Sequence, residues 1–210
     1  MMEIEKLIAG HLLETKAVKL SPEKPFLWAS GWHSPIYCDN RKLLSYPSIR
    51  KDITAAFVSV ITENFKNVDI IAGVATGAIA WGALVAEKLD KPFIYVRPKP
   101  KDHGLGAQVE GELPKGAKVV VIEDLISTGK SSLSAVDALE KNGAIVDGMV
   151  AIFSYHFIKS IRAFEEANVT LYTLSQYETL LDLAVEKNYI DGAMLNLLKE
   201  WRINPELWGK

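Results

Sequence analysis

Residues 118–132 read KVVVIEDLISTGKSS, from Lys118 to Ser132. Val119–Ile122 is an unbroken β-branched run, the pattern of a central parallel strand covered on both faces. Glu123 and Asp124 follow where such a strand is expected to end. Leu125 to Ser131 then turns through small and hydroxylated residues into Ser132–Leu139, whose apolar periodicity predicts a helix. Ligands of open α/β sheets bind in the crevice outside the carboxyl ends of the strands, which makes this strand, turn and helix start a candidate site.

The parts of the turn indicate what it would hold. Ser127, Thr128, Gly129 and Ser131 offer hydroxyls and unhindered backbone, and a helix start behind them offers free N–H groups with partial positive charge, a combination that suits a phosphate. A phosphate repels the two acids, so Glu123 and Asp124 are expected to accept hydrogen bonds from neutral hydroxyls such as those of a ribose, or to face a divalent cation. A sugar with both a phosphate and a diol satisfies the two halves together. Gly129, Lys130 and Ser131 spell the end of a nucleotide-binding P-loop, but that loop needs a glycine at the position held by Asp124. An ordinary Ser- and Gly-rich turn between strand and helix is the plainer alternative. Against it stand two consecutive acids at the edge of a core, where unpaired charge is costly.

At 210 residues and 49% apolar content, the chain is expected to form one well-packed domain over residues 1–210, with residues 1–45 supplying an N-terminal helix and a small appendage. Its 24 basic and 26 acidic residues, a net charge of −2, give no electrostatic reason to expect nucleic acid or a membrane as partner. No run reaches the roughly 18 consecutive apolar residues of a membrane span, and the start MMEIEKL is unlike a secretory signal, so a cytoplasmic location is expected. The single cysteine, Cys38, has no internal disulfide partner, and the four histidines lack metal-ligand spacing.

Along the chain, Ile4, Leu7, Ile8, Leu12 and Val18 share one face of a predicted helix over residues 2–18. Residues 19–44 carry three prolines, a glycine and two tryptophans, which predicts short strands and turns. Trp28, Trp32 and Tyr37 there either cover a planar ligand or simply pack this flap onto the domain. A helix is expected over Tyr46–Phe65, then a strand at Asp69–Val74, a small-residue turn at Ala75–Ala78 and a helix to Leu89. The strand Phe93–Val96 runs into Arg97, Lys99, Lys101 and His103, interleaved with Pro98, Pro100 and Gly104. Cations so crowded repel one another without an anion, so a polyanion such as pyrophosphate is one reading and a basic surface loop the other. Strands at Ile145–Ser154 and Asn168–Leu174 and helices at Tyr177–Lys187 and Asp191–Trp201 complete an α/β alternation with a central, mainly parallel sheet flanked by helices.

VVVIEDLISTGKS resembles the phosphoribosyl-pyrophosphate (PRPP) motif of the type I phosphoribosyltransferases. The resemblance implies that Glu123 and Asp124 hold the ribose hydroxyls while Leu125, Ile126, Ser127, Thr128, Gly129, Lys130 and Ser131 cradle the 5′-phosphate. Lys130 stands where a small residue is more usual. FLWASGWHSPIYCDNRKL, residues 26–43, resembles the N-terminal hood of the orotate phosphoribosyltransferases, with Ala29 and His33 departing from the usual cations; Arg41 nearby either meets an orotate carboxylate or forms a surface salt bridge. RPKPKDHG, residues 97–104, resembles their flexible catalytic loop, with Arg97, Lys101 and His103 on PRPP-contacting positions and Pro98 replacing a lysine. Ala75–Gly77 falls on the pyrophosphate loop, and the likeness continues into the tail.

The family then implies the type I phosphoribosyltransferase fold with a small N-terminal hood, and transfer of the phosphoribosyl group from PRPP to orotate. It further implies catalytic roles for Lys101, His103 and Asp124, a place for Ser127 beside orotate as well as PRPP, and Mg²⁺ held mainly through PRPP rather than by direct protein ligands. The family also implies a homodimer with shared active sites, in which Arg97, Lys101 and His103 of one subunit complete the 123–131 motif of the other. A purine phosphoribosyltransferase and a non-catalytic PRPP-binding regulator are the alternatives. The first need not keep the hood or the cationic loop, and the second is expected to carry a basic nucleic-acid face.

Overall fold

The structure is a computed structural model that describes residues 2–28, 31–99 and 108–208. In chain order, helix α1 (Met2–Glu14) leads into the short strands β1 (Val18–Leu20), β2 (Phe26–Leu27), β3 (His33–Ser34) and β4 (Ile36–Cys38) and a 3₁₀ turn (Asn40–Ser45). Then come α2 (Pro47–Asn64), β5 (Ile70–Val74), α3 (Ile79–Leu89), β6 (Phe93–Val96) and β7 (Val109–Glu110). The remainder is β8 (Lys118–Ile126), α4 (Lys130–Lys141), β9 (Ile145–Ser154), α5 (Ile158–Glu166), β10 (Leu171–Gln176), α6 (Tyr177–Glu186) and α7 (Gly192–Ile203).

Six strands form one sheet in the order β10–β9–β8–β5–β6–β7. All neighbours are parallel except β7, which returns antiparallel along β6 at the edge. The continuous apolar run of β8 follows from its central place, because alternate residues must face apolar surroundings on both sides. Val120 and Ile122 join one core with Ile71 and Val150, packed under Phe57 of α2, Trp81 of α3 and Leu180 of α6. Val119 and Val121 join the other with Ala72 and Met149, under Leu139 of α4 and Phe164 of α5. The two antiparallel pairs β1–β4 and β2–β3 make up the predicted flap, a hood beside the sheet.

Several boundaries differ from expectation: the first helix stops at Glu14 rather than at residue 18, because Val18 pairs with Cys38 and opens β1. Strand β8 does not stop at Ile122: pairing with β9 continues through Glu123↔Ala151, Leu125↔Phe153 and Ile126↔Ser154, so both acids and the next two residues are strand. The turn is correspondingly short, Ser127–Gly129, and α4 begins at Lys130, two places ahead of the expected start. β10 is set by its register with β9 and lies later than expected, at Leu171–Gln176.

Candidate active site

Parallel pairing lines up the carboxyl ends of β5, β6 and β8. Gly73 sits opposite Ile122 and Val74 opposite Val96. Continuing both registers places Ala75 beside Asp124 on one side and Arg97 on the other. The small-residue turn, the acid pair and the start of the cationic stretch therefore share one edge of the sheet, with neighbouring strands about 5 Å apart.

Alternation along β8 sends the two acids to opposite faces. Glu123 is 4% exposed and turned inward, where Ser132 Oγ donates to its Oε2 at 2.8 Å and the Asp124 N–H donates to its Oε1 at 2.9 Å. Burial, and next the neighbouring Asp124, push the Glu123 carboxyl up to about 8. Asp124 is half-buried; burial raises its carboxyl, while hydrogen bonding to Glu123 and the charge of Arg41 work against the rise. Of the pair, Asp124 is the less buried. It lies directly against the small-residue turn: a Cβ on Gly77 would fall 2.2 Å from Asp124 Oδ2, so only glycine lets the backbone approach the carboxylate this closely.

The phosphate cup is backbone. Gly129 adopts φ +80° at the N-cap of α4, and a Cβ there would lie 2.9 Å from Phe164 Cε2. Among the described residues no side chain caps α4. The first helical bond runs from Leu133 N–H to the Gly129 carbonyl, so the amides of Lys130, Ser131 and Ser132 have no carbonyl within the helix to reach. These amides and the half-buried Ser127 and Thr128 form an anion cup. Leu125 and Ile126 enter it differently from the other motif residues: they belong to the strand, Leu125 half-buried and Ile126 fully buried. Lys130 and Ser131 are exposed.

Beside the cup is a cavity of about 520 Å³, walled by Trp28, Trp32 and Tyr37 of the hood, Leu125, Ser127 and Thr128 of the β8 segment, and Tyr155 after β9. Trp28 and Trp32 stack at 6.2 Å with planes 19° apart, and Trp28 meets Tyr155 at 5.1 Å. A flat, polar-edged ring suits such walls. The hood is tied to the acid strand by Asn40, 1% exposed, whose Nδ2 donates to the Asp124 carbonyl at 2.5 Å and whose Oδ1 accepts from Cys38 Sγ at 3.2 Å. Burial pushes the Cys38 thiol up, which keeps it a neutral donor.

Two of the candidate cations lie at this edge, Arg41 acting on Asp124 and Arg97 directly after β6. Arg41 is exposed and donates from Nε to Asp39 Oδ1 at 2.7 Å. Arg97 is held by β7, with its N–H on the Gln108 carbonyl at 2.9 Å and Nη1 at 3.5 Å from Glu110 Oε1. Pro98, Lys99 and His33 are exposed. Lys101, His103 and Ala29 lie outside the described residues. Among the described residues no three of His, Cys, Asp or Glu gather in a metal-binding group.

Three participants have no local sequence signal. Asn40 acts across 84 positions of sequence, Tyr155 becomes a wall only once β9 pairs with β8, and Ser132 looks like an ordinary helix residue until Glu123 turns inward.

Residues 40–156 match the phosphoribosyl transferase domain family. Over 208 residues the chain is 56% identical to the orotate phosphoribosyltransferase of Phocaeicola vulgatus, covering 99% of this chain and 98% of that one. It is 54% identical to the orotate phosphoribosyltransferase of Listeria innocua over the full length of both. The solved structure of orotate phosphoribosyltransferase from Aeropyrum pernix superimposes with a TM-score of 0.76 at 30% identity, over 88% of this chain and 99% of that one. By sequence over its full length and by fold, the chain belongs to the orotate phosphoribosyltransferase family.

Proposed function

We propose that this protein, a single domain over residues 1–210, transfers the phosphoribosyl group of PRPP to orotate, giving orotidine 5′-monophosphate and pyrophosphate. The observation that carries the reading is the contiguity of the aromatic cavity, the amide-lined cup and Asp124 through Leu125, Ser127 and Thr128. Asp124 accepts hydrogen bonds from the ribose hydroxyls, and Glu123 holds Asp124 and Ser132 in place from beneath. Ser127, Thr128 and the amides that follow take the 5′-phosphate. The ring of orotate lies under Trp28 and Trp32, with Arg41 facing its carboxylate.

A bond then forms between the base nitrogen and C1 of the ribose as the bond from C1 to the pyrophosphate oxygen breaks. In the turn at Ala75–Ala78 the amides of Thr76 and Gly77 meet the departing pyrophosphate, those of Ala75 and Ala78 being bonded to the Val96 and Val74 carbonyls, and Arg97, Lys101 and His103 counter the charge it gathers. Oxygen ligands suit Mg²⁺, which would be carried mainly on PRPP with Asp124 as a carboxylate able to help hold it, and would supply charge neutralisation on the leaving group. The enzyme works as a homodimer in which the cationic stretch of one subunit completes the other's site, and we place it in the cytoplasm; among the described residues no helix is long and apolar enough to cross a membrane.

Loss of orotate absorbance on adding PRPP and Mg²⁺, with adenine, guanine and uracil as controls, tests the reaction. Turnover of orotate alone supports it; PRPP binding without reaction of any base contradicts it. Mixing inactive Lys101→Ala and Asp124→Asn subunits tests the shared site, since exchanged heterodimers regain one intact site.

A further inference from the structure

Helix α7 lies outside the cup and outside the cavity, yet one of its side chains holds the hood. Trp201 is fully buried, and its ring packs edge-on against two walls of the cavity, Trp28 at 5.6 Å and Tyr155 at 5.8 Å. Its Nε1 donates to the carbonyl of His33 at 3.1 Å, a contact across 168 positions of sequence. His33 pairs with Leu27 in the β2–β3 hairpin, and the Trp28 N–H donates to the Trp32 carbonyl at 2.9 Å. With two residues per strand, this hairpin is too small to be stable alone and takes its position from what it is attached to.

The helix itself is anchored to the body. Asp191 caps its first turn by accepting from the Met194 N–H at 2.8 Å, and Tyr177 Oη donates to the Leu198 carbonyl at 3.0 Å. Arg202 pairs with Glu178, and its Nη1 reaches the His156 carbonyl at 3.4 Å. The body thus fixes α7, α7 fixes the hairpin, and the hairpin fixes the two tryptophans.

We propose that Trp201 is a positioning residue for the base: its indole N–H sets how closely the hood sits over the cavity, and so sets base affinity without entering the chemistry. The inference rests on the cavity being the orotate site. Trp201→Phe keeps an aromatic ring and removes the N–H, leaving the His33 carbonyl without that donor. The expected result is a rise of about tenfold in KM for orotate, with KM for PRPP and kcat within about twofold. Tyr177→Phe, which removes the bond to the Leu198 carbonyl one turn before Trp201, should raise KM for orotate in the same direction by a smaller factor, and carries the test if Trp201→Phe does not fold. Val60→Ala, a core change in α2, supplies a comparably destabilised protein and should leave KM for orotate unchanged. An active wild type whose KM for orotate is unmoved by both tail variants, or moved equally by Val60→Ala, would overturn the inference alone. A wild type that consumes no orotate would overturn the activity assignment together with it.

Discussion

The phosphate cup comes from residues 123–132, one strand end, one turn and one helix start, whereas the cavity beside it takes its walls from residues as far apart as Trp28 and Tyr155. The first offers backbone amides and hydroxyls placed by local geometry. The second offers aromatic faces placed by tertiary packing. A group that is the same in every substrate turnover, the phosphoribosyl, suits a site fixed by local covalent geometry. The base, whose identity must be discriminated, would meet walls whose placement depends on distant residues such as Trp201.

Substitutions should therefore separate into two kinetic classes. The largest effect is expected from Lys101→Ala, which removes a charge from the leaving-group side: kcat should fall on the order of 100-fold or more, with KM for orotate little changed. Gly77→Ala comes next. Its methyl cannot coexist with the Asp124 carboxylate at 2.2 Å, so turn and acid must separate, and kcat/KM for PRPP should drop about tenfold or more in steady-state assays. On the cavity side, Arg41→Ala should raise KM for orotate by up to about tenfold while leaving KM for PRPP alone; a change in both would erase the distinction between the two regions. Gly129→Ala strains a residue at φ +80° and presses on Phe164, so thermal unfolding should show a loss of about 1–3 kcal/mol together with weaker PRPP binding.

A separate test is a matter of pH. The Glu123 carboxyl is raised in the folded protein from its ordinary value of 4.5 to about 8. Between those limits the unfolded chain has lost a proton that the folded protein keeps, so stability falls as pH rises through this window and levels off above it. Glu123→Gln, which stays neutral, should flatten the slope of melting temperature against pH between about 4.5 and 8. An unchanged slope would mean that Glu123 is ionised in the fold.

The same contrast decides what the amino-acid sequence makes legible. The run Val119–Ile122, the hydroxylated turn and the small-residue turn at Ala75–Ala78 announce themselves because strand, turn and helix start are short-range patterns, and the parallel sheet follows from their alternation. The different fates of Glu123 and Asp124 are not legible, since nothing local says that pairing with β9 will carry the strand past both acids and aim one inward. Asn40 beneath Asp124 and Trp201 beneath the hood are invisible for the same reason: each acts across a long stretch of sequence, 84 and 168 positions. The hood reads as short strands and turns because Pro22, Pro25, Pro35 and Gly31 interrupt everything longer, but its attachment to α7 does not. Antiparallel β7 at the sheet edge is too brief, at two residues, to leave a period.

A crystal structure of the protein with orotidine 5′-monophosphate tests the division between cup and cavity most directly. The phosphate should lie on the amides that follow Gly129, the ribose hydroxyls on Asp124, and the pyrimidine beneath Trp28 and Trp32. A nucleotide whose base lies outside the aromatic walls, or whose phosphate lies away from the turn at Ser127–Gly129, would contradict it.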